Sequence, residues 1–126
     1  MAHEYVNTEH APGAVGPYSQ AVKVGSMVFV SGQLPLDPAS GEMVGADAAT
    51  QAAQCMKNIL AILETEWLNA SDIIKATIYL KNMNDFASVN EVYATFFNGK
   101  YPARVCIEVA GLPKDALVEI DAVASS

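Results

Sequence analysis

One stretch near the C-terminal end limits the fold more than any other. From Pro102 to Ala122, Val105, Ile107 and Val109 alternate with Arg104, Cys106 and Glu108, and Val118, Ile120 and Ala122 alternate with Glu119 and Asp121. A period of two sends successive side chains to opposite faces of a strand. Joined by a loop rich in Gly and Pro, the two runs predict a closing hairpin with one apolar face and one charged face. Arg104, the only arginine in the chain, starts the first run beside a proline. With Glu119 it has two readings. The pair is either a cross-strand ion pair on a solvated face, worth a fraction of a kcal/mol, or a rigid bidentate donor and a carboxylate able to bind a small anion and activate water.

The remaining elements follow from punctuation and periodicity. His3 to Asn7 predicts a short edge strand, and Thr8 to Tyr18, with Pro12, Gly13, Gly16 and Pro17, an ordered loop. Gln20 to Val24 and Met27 to Ser31 flank Gly25-Ser26, the pattern of a hairpin with a primed turn. A second loop covers Gly32 to Gly45, with a tight turn at Pro38–Gly41. From Asp47 to about Leu68, apolar residues at helical spacing (Ala52, Met56, Ile59, Leu63) predict a long amphipathic helix. Asp72 to Leu80 reads as a central strand. Asn84 or Asp85 caps a second helix reaching about Phe97, with Phe86, Val89, Tyr93, Phe96 and Phe97 on its buried side.

Helices between strands require crossovers, so some strand pairs are parallel or skip a neighbour. The simplest arrangement is an α+β domain over residues 1–126, a mixed sheet with both helices on one face. Its other face would carry Arg104, Cys106 and Glu119. A half-apolar open face with nothing in the chain to cover it predicts self-association.

Charge and cysteine usage exclude several function classes. Seven Lys and Arg against 14 Asp and Glu give a net charge of −7, which disfavours nucleic-acid or membrane-surface partners. The N-terminus has no signal-like apolar core, and no run reaches membrane-spanning length. Two lone thiols, Cys55 and Cys106, fit a reducing, cytoplasmic setting. His3 and His10 are the only histidines, and no spacing fits a metal site, a Ser-His-Asp triad, a phosphate loop or a dinucleotide fingerprint. Cys106 is a nucleophile or a small packing residue. Tyr18 packs or leans over a pocket, and Asn90 is a solvated helix position or a pocket amide.

Taken together, several segments resemble the RidA/YjgF family. They are Gly16-Pro17-Tyr18-Ser19-Gln20-Ala21-Val22, Ser31-Gly32-Gln33-Leu34-Pro35 with Gly41-Glu42, Asn84-Asp85-Phe86, Val89-Asn90, and the block from Pro102-Ala103-Arg104 to Glu119-Ile120. The resemblance covers about Asn7 to Ala124. It implies a chorismate-mutase-like α+β fold, a homotrimer, and a cofactor-free deaminase. Such an enzyme hydrolyses reactive 2-imino acids (2-iminopropanoate, 2-iminobutanoate) to 2-keto acids and ammonia.

By the same resemblance, Arg104 clamps the substrate carboxylate and Glu119 positions the attacking water. The backbone at Cys106 holds substrate or water. Tyr18, Ser31, Gly32 and Asn90 line a pocket between neighbouring subunits. A non-catalytic carboxylate-binding regulator and an endoribonuclease are the alternatives within the family. One departure stands out: relatives usually have glycine, the residue of a left-handed helix cap, where this chain has Trp67.

Overall fold

The computed structural model describes residues 2–126. Six strands form one sheet: β1 (Glu4–Val6), β2 (Ala21–Val24), β3 (Met27–Gln33), β4 (Ile73–Leu80), β5 (Ala103–Glu108) and β6 (Val118–Ser125). Two helices, α1 (Ala48–Glu64) and α2 (Phe86–Ala94), cross between them. The spatial order is β1-β2-β3-β6-β4-β5. All pairs are antiparallel except β4 with β5. The first hairpin is the expected one, and Gly25 turns it with a φ of 60°.

The closing hairpin does not form. β5 lies at the sheet edge, parallel to β4, while β6 fills the slot between β3 and β4. Burial explains this order. Val118, Ile120, Ala122 and Ala124 are all buried, so β6 belongs in the middle of the sheet, which β5 with its exposed residues does not.

The faces of β5 are also opposite to the expectation. Arg104 is in register with Ala76 and Cys106 with Ile78, both buried residues of the helix-covered face. Val105 and Ile107 therefore point to the open face, each 41% exposed, with Phe29 at 44%. Arg104 and Cys106 lie on the helix side, and Glu119 alone of the three faces the open side.

The core lies between the sheet and α1, with Met56, Ile59, Ile62 and Leu63 packed on Val28, Ile78, Leu80, Val118 and Ile120. Asp47 caps α1, its carboxylate accepting from the Thr50 N–H. The helix stops at Glu64, short of Leu68. Trp67 adopts φ 60°, its N–H bonds to the Glu64 carbonyl, and the Leu68 N–H reaches the Leu63 carbonyl. This is a Schellman ending, in which an αL residue satisfies the last free carbonyls.

α2 is shorter than expected. Asp85 makes no side-chain cap bond, and Asn82 instead accepts from the Asn84 N–H in a preceding 3₁₀ turn. Val89 and Tyr93 are its buried residues, with Phe96 and Phe97 packed on the core beyond its end.

Candidate active site

The expected site residues fall into two groups. The first surrounds Glu119. In β3 the pairing slips between Val30 and Gln33, which oppose Ala122 and Ile120, so Ser31 and Gly32 together face the single residue Asp121. Such a bulge re-aims side chains beside it. Glu119 folds over Gly32 so closely that a Cβ there would lie 2.1 Å from its Oε2. Only glycine leaves room for the carboxylate in this pose.

Val15, Tyr18, Ser31, Gly32, Leu34, Pro113, Lys114 and Glu119 line a cleft of about 420 Å³. Burial, then the neighbouring Asp121 charge, raises the Glu119 pKa above the ordinary carboxylate value. No side chain or backbone N–H among the described residues bonds to its carboxylate. Its oxygens are therefore free to accept from water or a ligand.

Loop residues reach this cleft through buried amides that the sequence reading passed over. The Gln20 side chain accepts from the Thr8 N–H at 2.7 Å and donates to the carbonyls of Thr8 and Pro12 at 3.0 and 2.8 Å. It thereby pins the loop that carries Val15 and Tyr18. Ser31 Oγ donates to the Ser19 carbonyl at 2.6 Å, so its hydroxyl is occupied in fixing the same loop. Asn58 of α1 donates to the carbonyls of Leu34 and Leu36. Asn58 falls at helical spacing from Cys55 and Ile62 on the apolar stripe of α1, which was the available signal, whereas Gln20, next to Ser19 at the end of a loop, offers no comparable one.

The second group surrounds Arg104 on the helix side. Its guanidinium donates to Asn90 Oδ1 at 2.5 Å and lies 5.6 and 5.4 Å from the ring centres of Phe86 and Tyr93, within cation–π range. Asn90, Tyr93, Ala94, Tyr101, Pro102 and Arg104 line a cleft of about 370 Å³. The Cys106 thiol packs toward the core, and burial raises its pKa despite the nearby Arg104. That environment suits a packing residue and disfavours a thiolate nucleophile.

One chain does not unite the two groups. Arg104 and Glu119 stand on opposite sheet faces, two strands apart and three residues out of register through Ala76 and Tyr79. Standard strand spacing puts their Cα atoms about 14 Å apart. Tyr18, Ser31, Gly32 and Glu119 form one half, and Arg104 and Asn90 the other. No cluster of three or more His, Cys, Asp or Glu suited to a metal occurs among the described residues, and no described helix is long and apolar enough to cross a membrane.

A mixed six-stranded sheet, two helices on one face and a shielded carboxylate seated on a β-bulge together define a class of small α+β proteins, and the comparisons specify which. The profile described as Endoribonuclease L-PSP matches residues 8–126, and the chain belongs to this family, the RidA/YjgF family. It is 53% identical to a RutC family protein of Pyrococcus horikoshii, covering 96% of both chains. It is 50% identical to the 2-iminobutanoate/2-iminopropanoate deaminase of E. coli K12, covering 94% of both. The crystal structure of E. coli TdcF with bound serine superposes with a TM-score of 0.93 at 47% identity, covering 97% or more of each chain: 98% of this one and 98% of that one.

Proposed function

We propose that this protein hydrolyses small 2-imino acids to 2-keto acids and ammonia in the cytoplasm, at sites completed between the subunits of a homotrimer. The observation that carries the reading is Glu119: shielded, without a hydrogen-bond partner and seated on the Gly32 bulge beside an open cleft. The deaminase relative at 50% identity supports the choice of substrate. The serine-bound relative supports a pocket that accepts a small carboxylate.

A 2-imino acid carries an electrophilic C=N carbon next to a carboxylate. Arg104 holds the carboxylate with two parallel N–H bonds, a geometry lysine lacks. It exchanges Asn90 for substrate or keeps both. Tyr18 and the Cys106 backbone border the bound anion. Glu119 accepts a proton from water as the oxygen adds to the carbon, giving a carbinolamine. Glu119 returns that proton to the nitrogen, and on collapse it relays the carbinolamine hydroxyl proton to the departing amine as the C–N bond breaks and the C=O forms, so water and imine become keto acid and ammonia. Imine activation is intrinsic to the substrate, and the residues present suffice without a cofactor.

The separation of Arg104 from Glu119 within one chain favours a site shared between copies. The uncovered apolar side chains Phe29, Val105 and Ile107 on the open face favour the same arrangement. In a coupled assay, imine is generated by a dehydratase acting on serine or threonine, and what remains is trapped with semicarbazide. Wild type suppresses trapping. Arg104→Ala loses about a thousandfold, the ~4 kcal/mol that a desolvated charge pair contributes. Glu119→Gln loses about a hundredfold while retaining carboxylate binding. Refolding the two variants together at equal amounts restores activity to about a quarter of the shared sites, because random mixing around a ring pairs an intact Arg104 with an intact Glu119 that often. Absence of any restoration contradicts a site built from two copies, and wild-type turnover in Arg104→Ala contradicts the clamp.

The family description and the names of some relatives point to ribonuclease as a second reading. The net charge of −7 and the lack of a histidine pair weigh against it.

A further inference from the structure

On the open face, Glu119 has a neighbour that the reaction does not use. Asp121 follows it by two residues on β6 and so shares its face, roughly 7 Å along the strand. Tyr79, in register with Glu119 on β4, leans diagonally and donates its hydroxyl to Asp121 Oδ2 at 2.8 Å. The phenol therefore anchors Asp121 as an acceptor, while no described hydrogen bond reaches Glu119. Two carboxylates share one half-buried patch. One is tethered, and the other is left to the cleft.

We propose that Asp121, fixed by the Tyr79 hydroxyl, is a positioning residue that sets the basicity of Glu119 and keeps its carboxylate turned toward Gly32 and the cleft. The proposal rests on Glu119 being the base of the reaction described above. A fixed negative charge beside Glu119 disfavours its ionised form. The higher pKa it produces makes the carboxylate a better proton acceptor from water near neutral pH.

The other groups facing Glu119 are few. Lys114 and Tyr18 line the same cleft, and β3 offers only Ser31 and Gly32. From β5, the residues in register with Thr77 and Tyr79 are the apolar Val105 and Ile107. Cys55, behind the sheet, is buried, and its thiol is pushed well up in pKa, so it stays neutral. Asp121 is thus the anion in the patch, and Lys114 the opposing cation.

The test is a carbon-13 NMR titration of the Glu119 carboxyl in the intact protein, together with the acid limb of kcat/KM. In Asp121→Asn, both the Glu119 midpoint and the acid limb move to lower pH, and kcat/KM at neutral pH falls about threefold as the base weakens. In Tyr79→Phe, the charge remains but its tether is gone, and both shifts are smaller and of the same sign. An unchanged Glu119 midpoint in Asp121→Asn overturns the proposal. Should that variant not fold, a Tyr79→Phe protein with wild-type midpoint and pH profile overturns it instead. The titration reads Glu119 whether or not the protein deaminates imines. A preparation with the expected midpoints and no turnover therefore rejects the deaminase reading, and turnover with unmoved midpoints rejects the role of Asp121.

Discussion

The two halves of the site are built in opposite ways. Glu119 stands on β6, bonded on both sides by β3 and β4, and its side chain is confined by a bulge and a pinned loop. Arg104 stands on β5, an edge strand paired only with β4, and is held by one amide and two ring faces of α2. The carboxylate half is preorganised by the centre of the sheet. The guanidinium half is exposed and held by side chains alone, as suits the partner exchange proposed for Arg104. On the proposed reading, the difference teaches that rigidity is placed where a water would be aimed, and freedom where a charge would be captured.

The strongest way to break this comparison is Gly32→Ala. The added Cβ collides with the far end of a flexible side chain and with no backbone atom, so the strand tolerates it and Glu119 must move. Deamination falls about a hundredfold, while stability changes by less than about 1 kcal/mol. Binding of a small carboxylate to the Arg104 half persists, which isothermal titration with a 2-keto acid measures. Loss of binding together with turnover would mean that the two halves are not independent.

A smaller effect separates them by pH. The Glu119 pKa is raised in the folded state, so the protein holds that proton more tightly when folded. The stability this contributes is fully present below the unfolded carboxylate value and is lost as pH rises through the folded pKa. Glu119→Gln is therefore more stable than wild type at neutral pH, by a fraction of a kcal/mol given the partial solvent exposure of the group. The advantage disappears below about pH 4. Paired denaturant melts at pH 7.5 and pH 3.5 check this, and a gain that persists at the lower value would assign it to packing.

Much of this architecture was legible in the sequence, and the reason for the remainder is physical. Period-two runs, the Gly25-Ser26 turn and the Asp47 cap located β2, β3, β4, β6 and the start of α1, because those signals are local. Strand order was not legible. Alternation tells which residues share a face and says nothing about the neighbouring strand, so Val105 and Ile107 read as a core face although β5 lies at the edge. The residues proposed for the site were named through the family resemblance. Their division between two faces was not, since it depends on β6 inserting between β3 and β4. Asp121 was within reach, two positions from Glu119 on the same face, and the Tyr79 tether that gives it meaning exists only across the sheet.

The smallest predicted effect lies away from both halves and serves as their control. Trp67 occupies the αL position of the Schellman ending with φ 60° and a side chain 95% exposed. A β-carbon at that conformation crowds the following carbonyl, while an exposed indole returns little packing energy. The motif persists because Leu68 and Leu63 are both buried in the core beneath it. Trp67→Gly removes the strain and keeps both capping hydrogen bonds, for a gain of about 1 kcal/mol, offset in part by the greater freedom of glycine in the unfolded chain. At fixed protein concentration the net gain raises Tm by about 2 °C with kcat/KM unchanged. A fall in Tm would show that Trp67 is covered by another subunit or by its own loop, and a change in kcat/KM would tie this helix end to a site that the sheet otherwise isolates from it.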